Sequence, residues 1–100
     1  NNRGDTMPNK HRTAEELAFN ATVGRNIKYL RKSKNLNQTK VATAIGTSFQ
    51  QIQKYEKGKN GCSGIKLKLI ANKFNVSMDV LVDPMMIAKY EGFKDVNNQG

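Results

Sequence analysis

The stretch Asn37–Asn60, NQTKVATAIGTSFQQIQKYEKGKN, decides the fold of this chain. From Gln38, apolar residues fall at Val41, Ala42 and Ile45, then at Ile52 and Tyr55: two helical repeats whose phase breaks between Ile45 and Ser48. Gly46 stands one residue past the first repeat, where a helix end usually needs φ > 0 and glycine adopts it without a Cβ penalty. Ser48 and Gln51 then make an S-x-x-Q capping box that starts a second helix at Phe49. Ala42, four residues before Gly46, is small where two helices joined by a short turn at a steep angle approach most closely. The expectation is a helix-turn-helix.

Outward from this pair, the periodicity continues on both sides. Asn37 is an N-cap for Gln38–Ile45. Upstream, Val23, Ile27 and Leu30 make the buried stripe of a helix from Val23 to about Lys34, and Leu36 closes the core after the Lys34-Asn35 turn. Thr13 with Glu16 forms a second capping box, which predicts a separate short helix from Ala14 to about Asn20. Downstream, Gly58 ends the second helix of the pair. Leu67, Ile70, Ala71 and Phe74 line one face of a helix over Gly64–Phe74, Ser77 caps another, and Val80 and Leu81 complete the core. Asp83-Pro84 ends that helix and starts a further one. The Asn-rich end from Val96 is expected to fray. The predicted organisation is all-α: residues 1–22 as an arm with a short helix, 23–83 as a compact five-helix domain, and 84–100 as a C-terminal extension with a short helix.

Charge is distributed unevenly. The chain carries +9, yet residues 1–22 hold three Lys/Arg against three Asp/Glu, residues 23–60 nine against Glu56 alone, and residues 61–100 five against four. The excess lies on the first core helix and the helix-turn-helix, the footprint of a protein that neutralises phosphates. A basic patch also suits an anionic membrane, but that predicts a long amphipathic helix with an outward apolar face, which no segment requires. No apolar run approaches the roughly eighteen residues of a span, and residues 1–30 lack a signal-peptide core, so a soluble cytoplasmic protein is expected.

Catalysis is not expected. His11 is the one histidine and Cys62 the one cysteine, and the carboxylates are scattered, so no nucleophile, base and stabiliser come together and neither a metal site nor a cofactor is predicted. The loop GKNGCSG lacks the preceding strand and the spacing of a phosphate-cradling nucleotide loop. Asn1–Arg12, with Arg3, Lys10 and Arg12, is either a polar tail or a basic arm that reaches along DNA.

On the second helix of the pair, with Ile52 at 0° and about 100° per residue, Tyr55 and Glu56 point inward while Gln50, Lys54 and Lys57 form one outward stripe. Such a stripe is often only a solvated face. Here it sits on the helix whose N-terminal residues meet base edges in the major groove. Gln pairs with adenine, Lys donates to guanine, and an apolar side chain meets the thymine methyl. Phe49, at about 60°, either supplies that apolar contact or folds inward against Ile52.

The order Gln38, Ala42, Gly46, Ile52, Tyr55, Glu56, Gly58 resembles the helix-turn-helix family of phage repressors and Cro proteins, the XRE family. The resemblance runs from about Gly24, in GRNIKYLRKSKNLNQ, to about Asp83, in IKLKLIANKFNVSMDVLVD. Thr47 departs from it, since the family usually carries an apolar residue there. The resemblance implies an ion pair between Arg31 and Glu56 that braces the first helix against the recognition helix; a lone acid in a basic stretch independently calls for such a partner. It also implies that Gln38 contacts the DNA backbone and braces a recognition-helix side chain, and that Lys59 and Asn60 hold phosphates. The expected interface is therefore Ser48, Phe49, Gln50 and Lys54 on base edges, with Asn37, Gln38, Gln51, Gln53, Lys57, Lys59 and Asn60 on the backbone. The implied function is a bacterial or phage-encoded regulator, a repressor, on a palindromic double-stranded operator. Its alternative is an antitoxin that binds a toxin and its own promoter, and RNA polymerase is a further possible protein partner. A homodimer is expected through Leu81, Met85, Met86, Ile87 and Tyr90, unless these residues only cap the core of a monomer.

Overall fold

The computed structural model describes residues 12–99, and the expectations for Asn1–His11 and Gly100 lie outside that range. Six helices follow one another: α1 Ala14–Ser33, α2 Gln38–Ile45, α3 Phe49–Glu56, α4 Gly64–Phe74, α5 Met78–Val82 and α6 Met86–Gln99. No strand occurs among the described residues. Val23, Ile27, Leu30, Val41, Ala42, Ile45, Ile52, Tyr55, Leu67, Ile70, Ala71, Phe74, Leu81 and Met86 form one buried cluster, so the helical periodicities read from the sequence converge on a single core. Leu36 and Val80 pack partly buried against it.

The start of α1 corrects the sequence reading. Thr13 does form the capping box, its Oγ1 accepting from Glu16 N at 3.0 Å and Glu16 Oε1 accepting from Thr13 N at 2.9 Å. The helix then runs without a break from Ala14 to Ser33, in place of a short helix and a separate first core helix. No proline interrupts it, and Gly24 does not end it. Gly24 serves a different purpose: a Cβ there would stand 2.3 Å from the Tyr55 carbonyl oxygen and 2.7 Å from that of Glu56. α1 therefore lies against the backbone at the end of α3, closer than any side chain permits.

Several of the remaining helix ends are closed by polar atoms. Gly46 takes φ +72° and Asn75 φ +59°, each ending a helix in the left-handed region. Lys66 Nζ donates to the Ile45 carbonyl at 2.9 Å, closing the end of α2 from α4. Asn26, buried on α1, donates from Nδ2 to the carbonyls of Leu81 and Asp83, both at 2.9 Å, and ties down the end of α5. Ser77 occupies the N-cap of α5 but its side chain makes no capping bond, so that expectation is met in position only.

The C-terminal segment corrects two interface assignments. Leu81 is fully buried and Met86 is 2% exposed, both inside the domain's own core. Neither has surface to offer a second subunit without opening that core. α6 starts on Met86 and then extends to Gln99, past Val96 where fraying was expected. Tyr90 meets Tyr29 of α1 edge to face, with ring centroids 6.3 Å apart. The Tyr29 hydroxyl donates to the Glu91 carboxylate, a bond that, with burial, pushes the phenol up to about 12. Asp83 accepts from Met85 N and from Lys89 Nζ, both at 2.8 Å, which lowers its carboxyl below the ordinary range.

Two glycines separate close approach from mere helix content. Gly24→Ala is expected to lower stability by about 1–3 kcal/mol, since the added methyl meets rigid backbone. Gly92→Ala, with open space around it, is expected to lose nothing and to gain up to about 1 kcal/mol from helix propensity. Urea unfolding of both variants checks this, and equal losses would contradict the packing of α1 on α3.

Candidate nucleic-acid interface

α3 is placed by a local sequence that leaves it little choice. Thr47 N donates back to the Ala42 carbonyl at 2.9 Å across the turn at Gly46. Ser48 then caps the new helix, its Oγ accepting from Gln51 N at 3.2 Å. Only this half of the expected capping box forms; no bond from the Ser48 N–H to the Gln51 side chain accompanies it. In its bond to Gln51 N the Ser48 oxygen accepts, which leaves the hydroxyl proton to donate outward. At the other end Gly58, at φ +73°, closes the helix through its N–H to the Tyr55 carbonyl at 3.0 Å, and Lys59 N returns to Lys54 O at 2.9 Å.

The inner face of α3 is fixed by a charged network. Arg31 Nε donates to Glu56 Oε2 at 2.6 Å and its terminal nitrogen to Oε1 at 3.1 Å, a two-pronged pair with side chains only 10% and 4% exposed. The third face of the guanidinium donates to the Leu36 carbonyl at 2.9 Å. Gln38 Nε2 donates to Glu56 Oε1 at 3.0 Å. α1, α2 and α3 thus meet at one carboxylate, and the turn after α1 meets the guanidinium that pairs with it. No buried side-chain nitrogen or oxygen lacks a partner among the described residues. Through its bond to Oε1, Gln38 braces the Glu56 side chain of α3.

The outer face is the predicted stripe. Ser48, Phe49, Gln50, Lys54 and Lys57 are all exposed. Phe49, at 44% exposure, takes the outward alternative. Asn37 caps α2 through Oδ1, which accepts from Lys40 N at 2.8 Å, and its exposed end lies near the same surface. Gln51, Gln53 and Asn60 are half-buried, and Lys59 is exposed. Beside the stripe, Asn37, Gln38, Gln53 and Lys57 line an open cleft together with Lys28 and Lys32 of α1, with the ion pair also in its wall. The sequence reading gave those two lysines no place beside the stripe. The available signal was their i, i+4 spacing off the buried stripe, flanking Arg31.

Other chemistry is sparse. Cys62 is half-buried, and burial pushes its thiol up to about 12, which leaves almost no thiolate near neutrality. Among the described residues no three His, Cys, Asp or Glu gather to hold a metal ion, and no helix is long and apolar enough to cross a membrane. His11 lies outside the described residues.

A capped second helix, a glycine turn and a basic outer face define a helix-turn-helix domain. The chain belongs to the helix-turn-helix family, whose model matches residues 27–81. It is 37% identical over 78 residues to an uncharacterized HTH-type transcriptional regulator of Sinorhizobium fredii, covering 78% of this chain and 54% of the relative. It is 42% identical over 59 residues to a second such regulator of that organism, covering 59% and 41%. It is 34% identical over 73 residues to the antitoxin PezA of Streptococcus pneumoniae, covering 72% and 46%. The chain spans about half the length of these curated relatives.

The buried pair yields a direct prediction. Arg31→Met and Glu56→Leu, taken singly, each leave an uncompensated charge and are expected to cost about 3–5 kcal/mol. The double variant is expected to recover part of that loss. A double-mutant cycle on urea unfolding checks it, and strictly additive losses would mean that the two groups do not act as a pair.

Proposed function

We propose that this protein is a sequence-specific transcriptional regulator, a repressor, that inserts α3 into the major groove of a palindromic operator. The observation that carries the reading is the outward stripe Phe49, Gln50, Lys54 on a helix whose inner face is fixed by the Arg31–Glu56–Gln38 network. An apolar ring, an amide and an ammonium, held rigidly together, match a thymine methyl, an adenine edge and a guanine edge. Ser48 adds a hydroxyl donor. Asn37, Gln38, Gln51, Gln53, Lys57, Lys59 and Asn60 hold the backbone, and Lys28 and Lys32 extend that contact along the adjacent cleft. The activity is binding without catalysis, in the cytoplasm.

Gln50→Ala and Lys54→Ala are expected to cost about 1–3 kcal/mol each on the best site and to relax base preference, whereas Lys59→Ala weakens all sequences alike. Competition binding on variant duplexes measures this. Unchanged preference after both stripe substitutions would remove α3 from the groove.

One helix-turn-helix reads too few base pairs to find a single site in a genome, so the reading includes a homodimer on two half-sites about one helical turn apart. Support comes from α6. Met86, Tyr90 and Phe93 stand at i, i+4 and i+7, and this stripe runs from 2% exposure at Met86 to 67% at Phe93 as the helix leaves the core. Met85, at 56%, lies beside its start. The second copy meets Met85, Tyr90 and Phe93, with Ile87, partly packed on the core, at the edge. Sedimentation is expected to give a dimer for the wild type and a folded monomer for Phe93→Glu. A wild type that stays monomeric at high concentration, free and on DNA, would refute the dimer.

A second reading, an antitoxin that holds a protein partner, has one observation in its favour, the similarity to a relative named as an antitoxin. A tagged chain that co-purifies with one small protein in equal amount supports it, and recovery of the chain by itself removes it.

A further inference from the structure

None of residues 14–22 of α1 is fully buried, so this part of the helix adds little to the core. Ordering such a segment costs chain entropy, and what it touches accounts for its presence. It runs against the loop that follows α3. A Cβ on Gly58 would stand 3.1 Å from the Ala21 Cα, and one on Gly61 would stand 2.9 Å from Asn20 Oδ1. Just ahead of the helix, Arg12 donates from its guanidinium to the Lys59 carbonyl at 2.7 Å, across 47 positions of sequence. The Lys59 N–H is already bonded to the Lys54 carbonyl at 2.9 Å. Lys59 is therefore held on one side by the end of α3 and on the other by Arg12.

We propose that Arg12 is a positioning residue for the DNA-backbone contact: its guanidinium fixes the 58–61 loop so that Lys59 and Asn60 are ordered before DNA arrives. Holding a contact loop in its bound conformation reduces the entropy lost on association. The bond is charge-assisted, and the glycines at 58 and 61 give the loop the closeness to α1 that this requires. Glu16, the acid nearest in sequence with an assigned bond, is occupied by the Thr13 N–H. The proposal rests on the reading of Lys59 and Asn60 as backbone contacts.

The test uses the full chain with Arg12→Ala, Arg12→Lys and Lys59→Ala, and measures binding to a selected duplex and to a random one between 50 and 200 mM salt, on the order of the range where phosphate contacts show. Arg12→Ala is expected to weaken both duplexes about three- to tenfold with base preference and salt slope unchanged, and Arg12→Lys to recover most of the loss. In the free protein, Arg12→Ala is expected to speed amide exchange at Lys59 and Asn60. Unchanged affinity would overturn the proposal. So would a loss accompanied by a salt slope smaller by about one, which would make Arg12 a phosphate contact in its own right. If Lys59→Ala weakens binding and Arg12→Ala does not, only the role of Arg12 falls. If Lys59→Ala leaves binding untouched, the reading of the loop falls first.

Discussion

Glu56 is the one acid among residues 23–60, and its burial constrains everything around it. An isolated carboxylate cannot be buried without donors, because the cost of removing it from water is several kcal/mol. Arg31 meets that need with two prongs, Gln38 with a third bond, and Arg31 in turn needs the Leu36 carbonyl for its remaining face. These partners come from α1, α2 and the turn between them. Satisfying one carboxylate thus sets the orientation of α3 relative to both helices that frame it, and directional bonds do so more narrowly than apolar packing does.

That orientation matters because the two faces of α3 have opposite requirements. Ile52 and Tyr55 must stay dry, and the Gly24 contact brings the helix end within backbone distance of α1. With the inner face so fixed, Phe49, Gln50 and Lys54 have no freedom to turn inward and remain on the surface. The same geometry sets where two lysines of α1 lie. Lys28 and Lys32 flank Arg31 on the helix, so the side of α1 that braces Glu56 also borders the cleft beside the outward stripe.

The helix-turn-helix was legible because its signals are local: a glycine at the αL position, a serine at the N-cap and two short apolar periods. The Arg31–Glu56 pair was legible from charge imbalance as well as from the family resemblance. Other features carry no local signal. Gly24 has no side chain whose pattern would announce a close contact, and it lies inside a helix where glycine usually only weakens. Asn26 serves carbonyls more than fifty positions away, and Arg12 serves that of Lys59 across 47. The continuity of α1 was missed because the Thr13 box and the Val23 stripe each look like a start. Leu81 and Met86 show that apolar character says a side chain will be covered but not by which molecule. The outward stripe of α3 could be read from sequence, while the cleft that brings Lys28 and Lys32 of α1 beside it needed the fold.

Selection of bound sites from a pool of random duplex DNA bears most directly on the claim that this braced surface reads sequence. The expected result is one enriched motif with two-fold symmetry and half-sites about 34–36 Å apart. A bound pool with no enriched sequence, at salt concentrations where binding persists, would contradict it.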